Sequence, residues 1–134
     1  MAKTEEAVQL QSNGYNCAQA VACVFSEEVD TPKSSLFKAT EGFGGGAGTG
    51  EGICGALSAA IMIAGLKNST ANLDAPDSKA STMKISRQLM TNFKNRVGSI
   101  TCKEIKGANP EYKVLCSCPD CVRNGVKLVE EFVI

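Results

Sequence analysis

The chain has 134 residues, enough for one domain that buries about 68% of its unfolded surface without needing disulfides. Fourteen Lys and Arg balance fourteen Asp and Glu, so no global attraction to nucleic acid or an anionic membrane is expected. No apolar run approaches the ~20 residues of a membrane span. The opening Met1-Ala2-Lys3-Thr4-Glu5-Glu6 also lacks a signal peptide's apolar stretch, so the chain reads as cytoplasmic, with no membrane insertion.

The hydrophobic spacing is helical nearly throughout and predicts an all-α, single-domain bundle over 1–134, with about five to seven helices and a glycine-rich loop. A first helix spans about 4–12 and stops near Asn13-Gly14. A second spans about 17–28, with Ala18, Val21, Ala22 and Phe25 on neighbouring turns. Pro32 opens a third, running to about Thr40. Residues 42–52 form a loop. An apolar, alanine-rich helix follows over about 53–66, then a polar connection from Asn68 to Asp77. The helix over about 77–97 repeats Ile85, Leu89, Phe93 and Val97 at four-residue steps, the mark of one buried face. A short helix starts at Cys102 and ends near Gly107. The last runs from Pro119 onward with Val122, Val126, Val129, Phe132 and Val133 inward.

In a reducing compartment, seven cysteines point to catalytic, redox or metal chemistry rather than cross-linking. The chain has no histidine, which removes the usual general base, the Cys–His dyad and mixed Cys/His metal sites. Four cysteines stand where helices begin. Cys17 follows the N-cap residue Asn16. Cys54 opens the alanine-rich helix. Cys102 sits in Thr101-Cys102-Lys103-Glu104, which reads as a capping box. Cys118 precedes Pro119. Unpaired N–H groups and the helix dipole favour thiolate there, with about 0.3–1 kcal/mol each. Two thiolates about 5 Å apart repel by roughly 3 kcal/mol at an effective dielectric near 20. Should the four starts converge, the sulfurs must protonate, pair or bind a cation.

Cys116-Ser117-Cys118-Pro119-Asp120-Cys121 contains CxxC, the spacing of redox motifs and of half a metal site. Cys23 reads as a core residue. The run from Gly42 to Gly55 holds eight of the thirteen glycines. No strand precedes it and no P-loop Lys-Ser/Thr follows, so its glycines serve backbone freedom. Gly52 and Gly55 are expected to bring amides near the Cys54 sulfur. The basic residues Lys79, Lys84, Arg87, Lys94, Arg96 and Lys103 read as a solvated face.

These stretches resemble the C_GCAxxG_C_C family of redox-active proteins. The matching residues are Asn16-Cys17-Ala18-Gln19-Ala20-Val21, Cys54-Gly55-Ala56-Leu57, Cys102-Lys103-Glu104-Ile105-Lys106-Gly107 and Cys118-Pro119-Asp120-Cys121-Val122. Ala59 stands where the family has glycine. Cys118 fits the last family cysteine by its C-P-x-x-V context, with Cys121 as the alternative. The resemblance implies a redox quartet of Cys17, Cys54, Cys102 and Cys118. A related domain in split-Soret cytochromes, whose cysteines hold an iron–sulfur centre, implies by analogy a 2Fe–2S cluster on that quartet and electron transfer.

Three functions follow as expectations: electron transfer through a four-cysteine site, thiol–disulfide exchange started by Cys54 or Cys17, and a zinc-stabilised binding module. The partner expected is a redox protein or a small thiol or disulfide, and a homodimer is compatible with the apolar helices.

Overall fold

The computed structural model describes residues Met1–Ile134. Its helices are α1 (Lys3–Ser12), α2 (Cys17–Cys23), α3 (Lys33–Thr40), α4 (Gly55–Asn68), α5 (Lys79–Val97), α6 (Cys102–Ile105) and α7 (Cys118–Phe132). No helix is long and apolar enough to cross a membrane. The all-α class therefore stands. The second helix is shorter than its pattern suggested. After Cys23 the backbone tightens into turns, with Phe25 N–H donating to Ala22 O, and Asp30 takes a left-handed conformation at φ 48°.

One contiguous core unites the helices. Helix α4 packs on α2, α5 and α7, while α1 and α5 also lie against α7. Small side chains set the spacing: Ala18 and Ala22 on α2 and Ala56, Ala59, Ala60 and Ala64 on α4 are all buried. A Cβ at Gly125 of α7 would lie 3.0 Å from Ala56 O and 3.1 Å from Val21 Cγ2, so α2, α4 and α7 meet there at backbone distance. On α5, Leu89, Phe93 and Val97 are buried, while Ile85 is half-buried against the same core. Phe132 and Val133 are likewise half-buried at the rim of the core. The six basic side chains from Lys79 to Lys103 are exposed. Arg96 pairs with Glu131 and Lys103 with Glu51.

The 42–52 segment, expected as a loop, instead begins with a 3-10 turn at Glu41–Phe43 and one further short turn at Gly44–Ala47. Gly45, Gly46 and Ala47 all have positive φ and form a left-handed turn. An isolated antiparallel bridge between Ile53 and Thr101 then joins this segment to the start of α6.

Candidate functional site

Each of the four cysteines singled out by the sequence begins a helix. Asn16 caps α2 in a full capping box: its side chain accepts from Gln19 N–H at 2.9 Å, and Gln19 Oε1 accepts from Asn16 N–H at 3.0 Å. Asn16 Nδ2 also donates to Glu41 O at 2.9 Å, tying Cys17 to the glycine segment. Cys54 is itself the N-cap of α4. Ser117 caps α7, accepting from Asp120 N–H at 3.2 Å, so Cys118 is the first helical residue and Pro119 the second. The box expected at Thr101 does not form. Instead Glu104 accepts from Ser99 Oγ at 2.7 Å, and Ser99 Oγ accepts from Thr101 N–H at 3.2 Å. Ser99 is buried and offers Glu104 a partner that Thr101 does not.

The bridge clamps two of these helix starts side by side. Cys54 N–H donates to Ile100 O at 2.7 Å, Cys102 N–H to Gly52 O at 3.0 Å and Lys103 N–H to Gly50 O at 2.8 Å. Two glycines admit the sulfur-bearing residues. A Cβ at Gly46, where φ is +65°, would lie 2.6 Å from Cys102 Cβ; one at Gly55 would lie 2.5 Å from Cys17 Sγ. The amides that reach the Cys54 sulfur are those of Ala56 and Leu57, in the first turn of α4. Gly52 instead places Cys102, Gly55 makes room for Cys17, and the loop amide that reaches a sulfur is Gly45 N–H, at Cys17.

The result is one small cavity of ≈ 20 Å³, lined by Cys17, Cys54, Cys102, Cys116, Cys118 and Cys121 together with Ile105 and Lys106. That is space for about one water molecule. Cys23 lies elsewhere: it is buried, and its thiol points to Lys33 O at 3.7 Å. Cys54, Cys102 and Cys121 are buried, Cys17 and Cys116 half-buried, and Cys118 exposed. No three of these side chains stand arranged around a single metal-ion position.

The sulfurs differ in proton affinity. Cys54 is lowered from its ordinary 9.0 to about 7, chiefly through its contact with the Cys121 thiol in the same cavity. The Ala56 and Leu57 amides and the Lys106 ammonium assist, while burial opposes. Cys121 moves the opposite way, since losing its proton would break that contact and set two charges together in a buried place. Burial pushes Cys17, Cys102 and Cys116 up. Lys106 is raised, through Cys118 first and Cys102 second, which keeps it a cation at the cavity. A thiolate confined to Cys54, with a neutral thiol beside it and a cation near it, avoids the repulsion that four free thiolates would suffer.

Residues 15–132 match the family model described as "Putative redox-active protein (C_GCAxxG_C_C)". The chain belongs to this family. No curated protein and no solved structure matches the chain. Family membership makes sulfur redox chemistry the frame for the cavity, and the cavity adds residues that the motif does not name. Cys116 arrives through a non-helical segment tied to α6 by Leu115 N–H donating to Ile105 O at 2.8 Å, a link with no signal in the sequence. Lys106 was legible in principle, because it stands four residues after Cys102, one helical turn away.

Proposed function

We propose that this family member is a small thiol–disulfide redox protein in which Cys54 and Cys121 exchange two electrons. The observation that carries the reading is that Cys54 and Cys121, both buried, line one small cavity, where their contact favours thiolate at the first and thiol at the second. A thiolate near neutral pH is competent in thiol–disulfide exchange, and an adjacent thiol can close an intramolecular disulfide with it. Cys54 and Cys121 each lose an electron and a proton, and the substrate's disulfide is reduced to two thiols. The test is equilibration with defined ratios of reduced and oxidised glutathione, followed by peptide mass spectrometry. A Cys54–Cys121 disulfide appearing with one midpoint supports the reading. Both thiols remaining free at every ratio overturns it.

A second reading rests on a different observation. Cys17, Cys54, Cys102 and Cys118, from four separate segments, line the same cavity. The donor set is all sulfur, and backbone N–H groups of Gly45, Ala18, Ala56 and Leu57 reach two of those sulfurs, as suits an iron–sulfur centre. A 2Fe–2S cluster takes two sulfurs at each of two irons, so the quartet matches it in donor type and number, and the cavity would have to widen to admit it. Held by that quartet, the cluster would accept and release single electrons. Iron and acid-labile sulfide in anaerobically purified protein select this reading; their absence beside intact disulfide exchange rejects it. The zinc-stabilised module has no comparable observation behind it.

A further inference from the structure

Cys54 and Cys121 are 5% and 4% exposed, and the cavity between them has space for about one water molecule. A disulfide carried by another molecule cannot enter it. Of the six sulfurs in the cavity wall, Cys118 is the exposed one. It stands on the first turn of α7, three residues before Cys121. Residues so spaced on a helix have Cβ atoms about 5–6 Å apart, a short closure from disulfide distance. Lys106 lines the same cavity and gives its mouth a positive charge.

We propose that Cys118 is the outer member of a three-thiol relay: it meets the substrate disulfide at the surface and passes the oxidised bond inward through Cys121 to Cys54. The inference rests on the Cys54–Cys121 reading above. Cys118 attacks one sulfur of the substrate disulfide; a Cys118–substrate bond forms, the substrate's S–S bond breaks, and one substrate thiol leaves. Cys121 attacks the Cys118 sulfur, forming Cys118–Cys121 and releasing the second substrate thiol. Cys54 then attacks Cys121, forming Cys54–Cys121 and returning Cys118 as a free thiol. The protons of Cys54 and Cys121 end on the two substrate thiols. Two electrons reach the substrate, and the three exchanges are otherwise isoelectronic. The lower proton affinity of Cys54 makes it the better leaving group when the relay runs backwards, so the buried disulfide can be re-reduced from the surface.

The experiment follows reduced protein mixed with oxidised glutathione, quenched with acid and mapped by peptide mass spectrometry. Wild type should accumulate the Cys54–Cys121 disulfide. Cys121→Ser, which keeps a hydroxyl donor for Cys54, should trap one glutathionyl group on Cys118. Cys118→Ser should form Cys54–Cys121 at least about tenfold more slowly, because access is lost. Cys118→Ala guards against an effect of the serine, and Cys23→Ser, outside the cavity, should match wild type. Glutathione found on Cys54 with Cys118 free in the Cys121→Ser protein overturns the relay, as does a wild-type rate in both Cys118 variants. If wild type never forms the Cys54–Cys121 bond, the underlying reading fails as well, and the two failures are told apart by that single disulfide.

Discussion

At Cys54, burial and hydrogen bonding pull the thiol in opposite directions, and the donors win. The thiolate fraction of Cys54, read by NMR at its Cβ, should therefore be half-maximal near pH 7 instead of 9.0, rising as pH increases through that value. Cys121→Ala removes the main donor and leaves burial less opposed, so the midpoint should climb by about one unit or more, while Cys121→Ser climbs less. An unchanged midpoint in Cys121→Ala would show that the S–H contact is not what holds the charge. Lys106→Gln should also raise the midpoint, by less than Cys121→Ala, and should flatten its dependence on ionic strength, since an exposed cation acts through a field that salt screens. A salt response equal to wild type would remove Lys106 from the account.

Among the elements, the segment from Gly44 to Gly55 does more than link helices, because its left-handed turn and its bridge to Thr101 fix where Cys102 and Cys54 sit. Gly46→Ala should cost roughly 1–2 kcal/mol for the left-handed backbone alone, and more for the overlap with Cys102 Cβ. Urea unfolding is the check; stability equal to wild type would mean that the turn can relax without disturbing the site. This region also marks the limit of what the sequence discloses. The starts of α2, α4, α6 and α7 were readable because each follows a cap residue, a glycine run or a proline, and the buried face of α5 was readable from its four-residue steps. The Ile53–Thr101 bridge was not, since one residue pair leaves no alternating pattern. The same holds for Cys116 and for the pairing of Cys54 with Cys121, which depend on how an irregular segment and a distant helix come back to the cavity.

Across the whole molecule, the cysteine cavity lies at one edge of the apolar core, which takes in Cys54, Ile105 and Cys121. Ile63 is fully buried, eight residues and about 12 Å of helix beyond the start of α4. Ile63→Ala should cost about 2–5 kcal/mol of stability yet leave the Cys54 titration midpoint in the folded protein where it was. A midpoint that moves with this substitution would show that core packing and sulfur chemistry are coupled. One feature of the architecture bears on how the protein comes into being. Helix α7 supplies Cys118 and Cys121 and, through Gly125, sits at backbone distance from α2 and α4. A nascent chain emerging from the ribosome therefore carries Cys17, Cys54 and Cys102 for some time before their shielding partners exist. Until that last helix docks, those sulfurs are open to wrong bonds, which makes the reducing power of the surroundings during synthesis a condition for obtaining the native site.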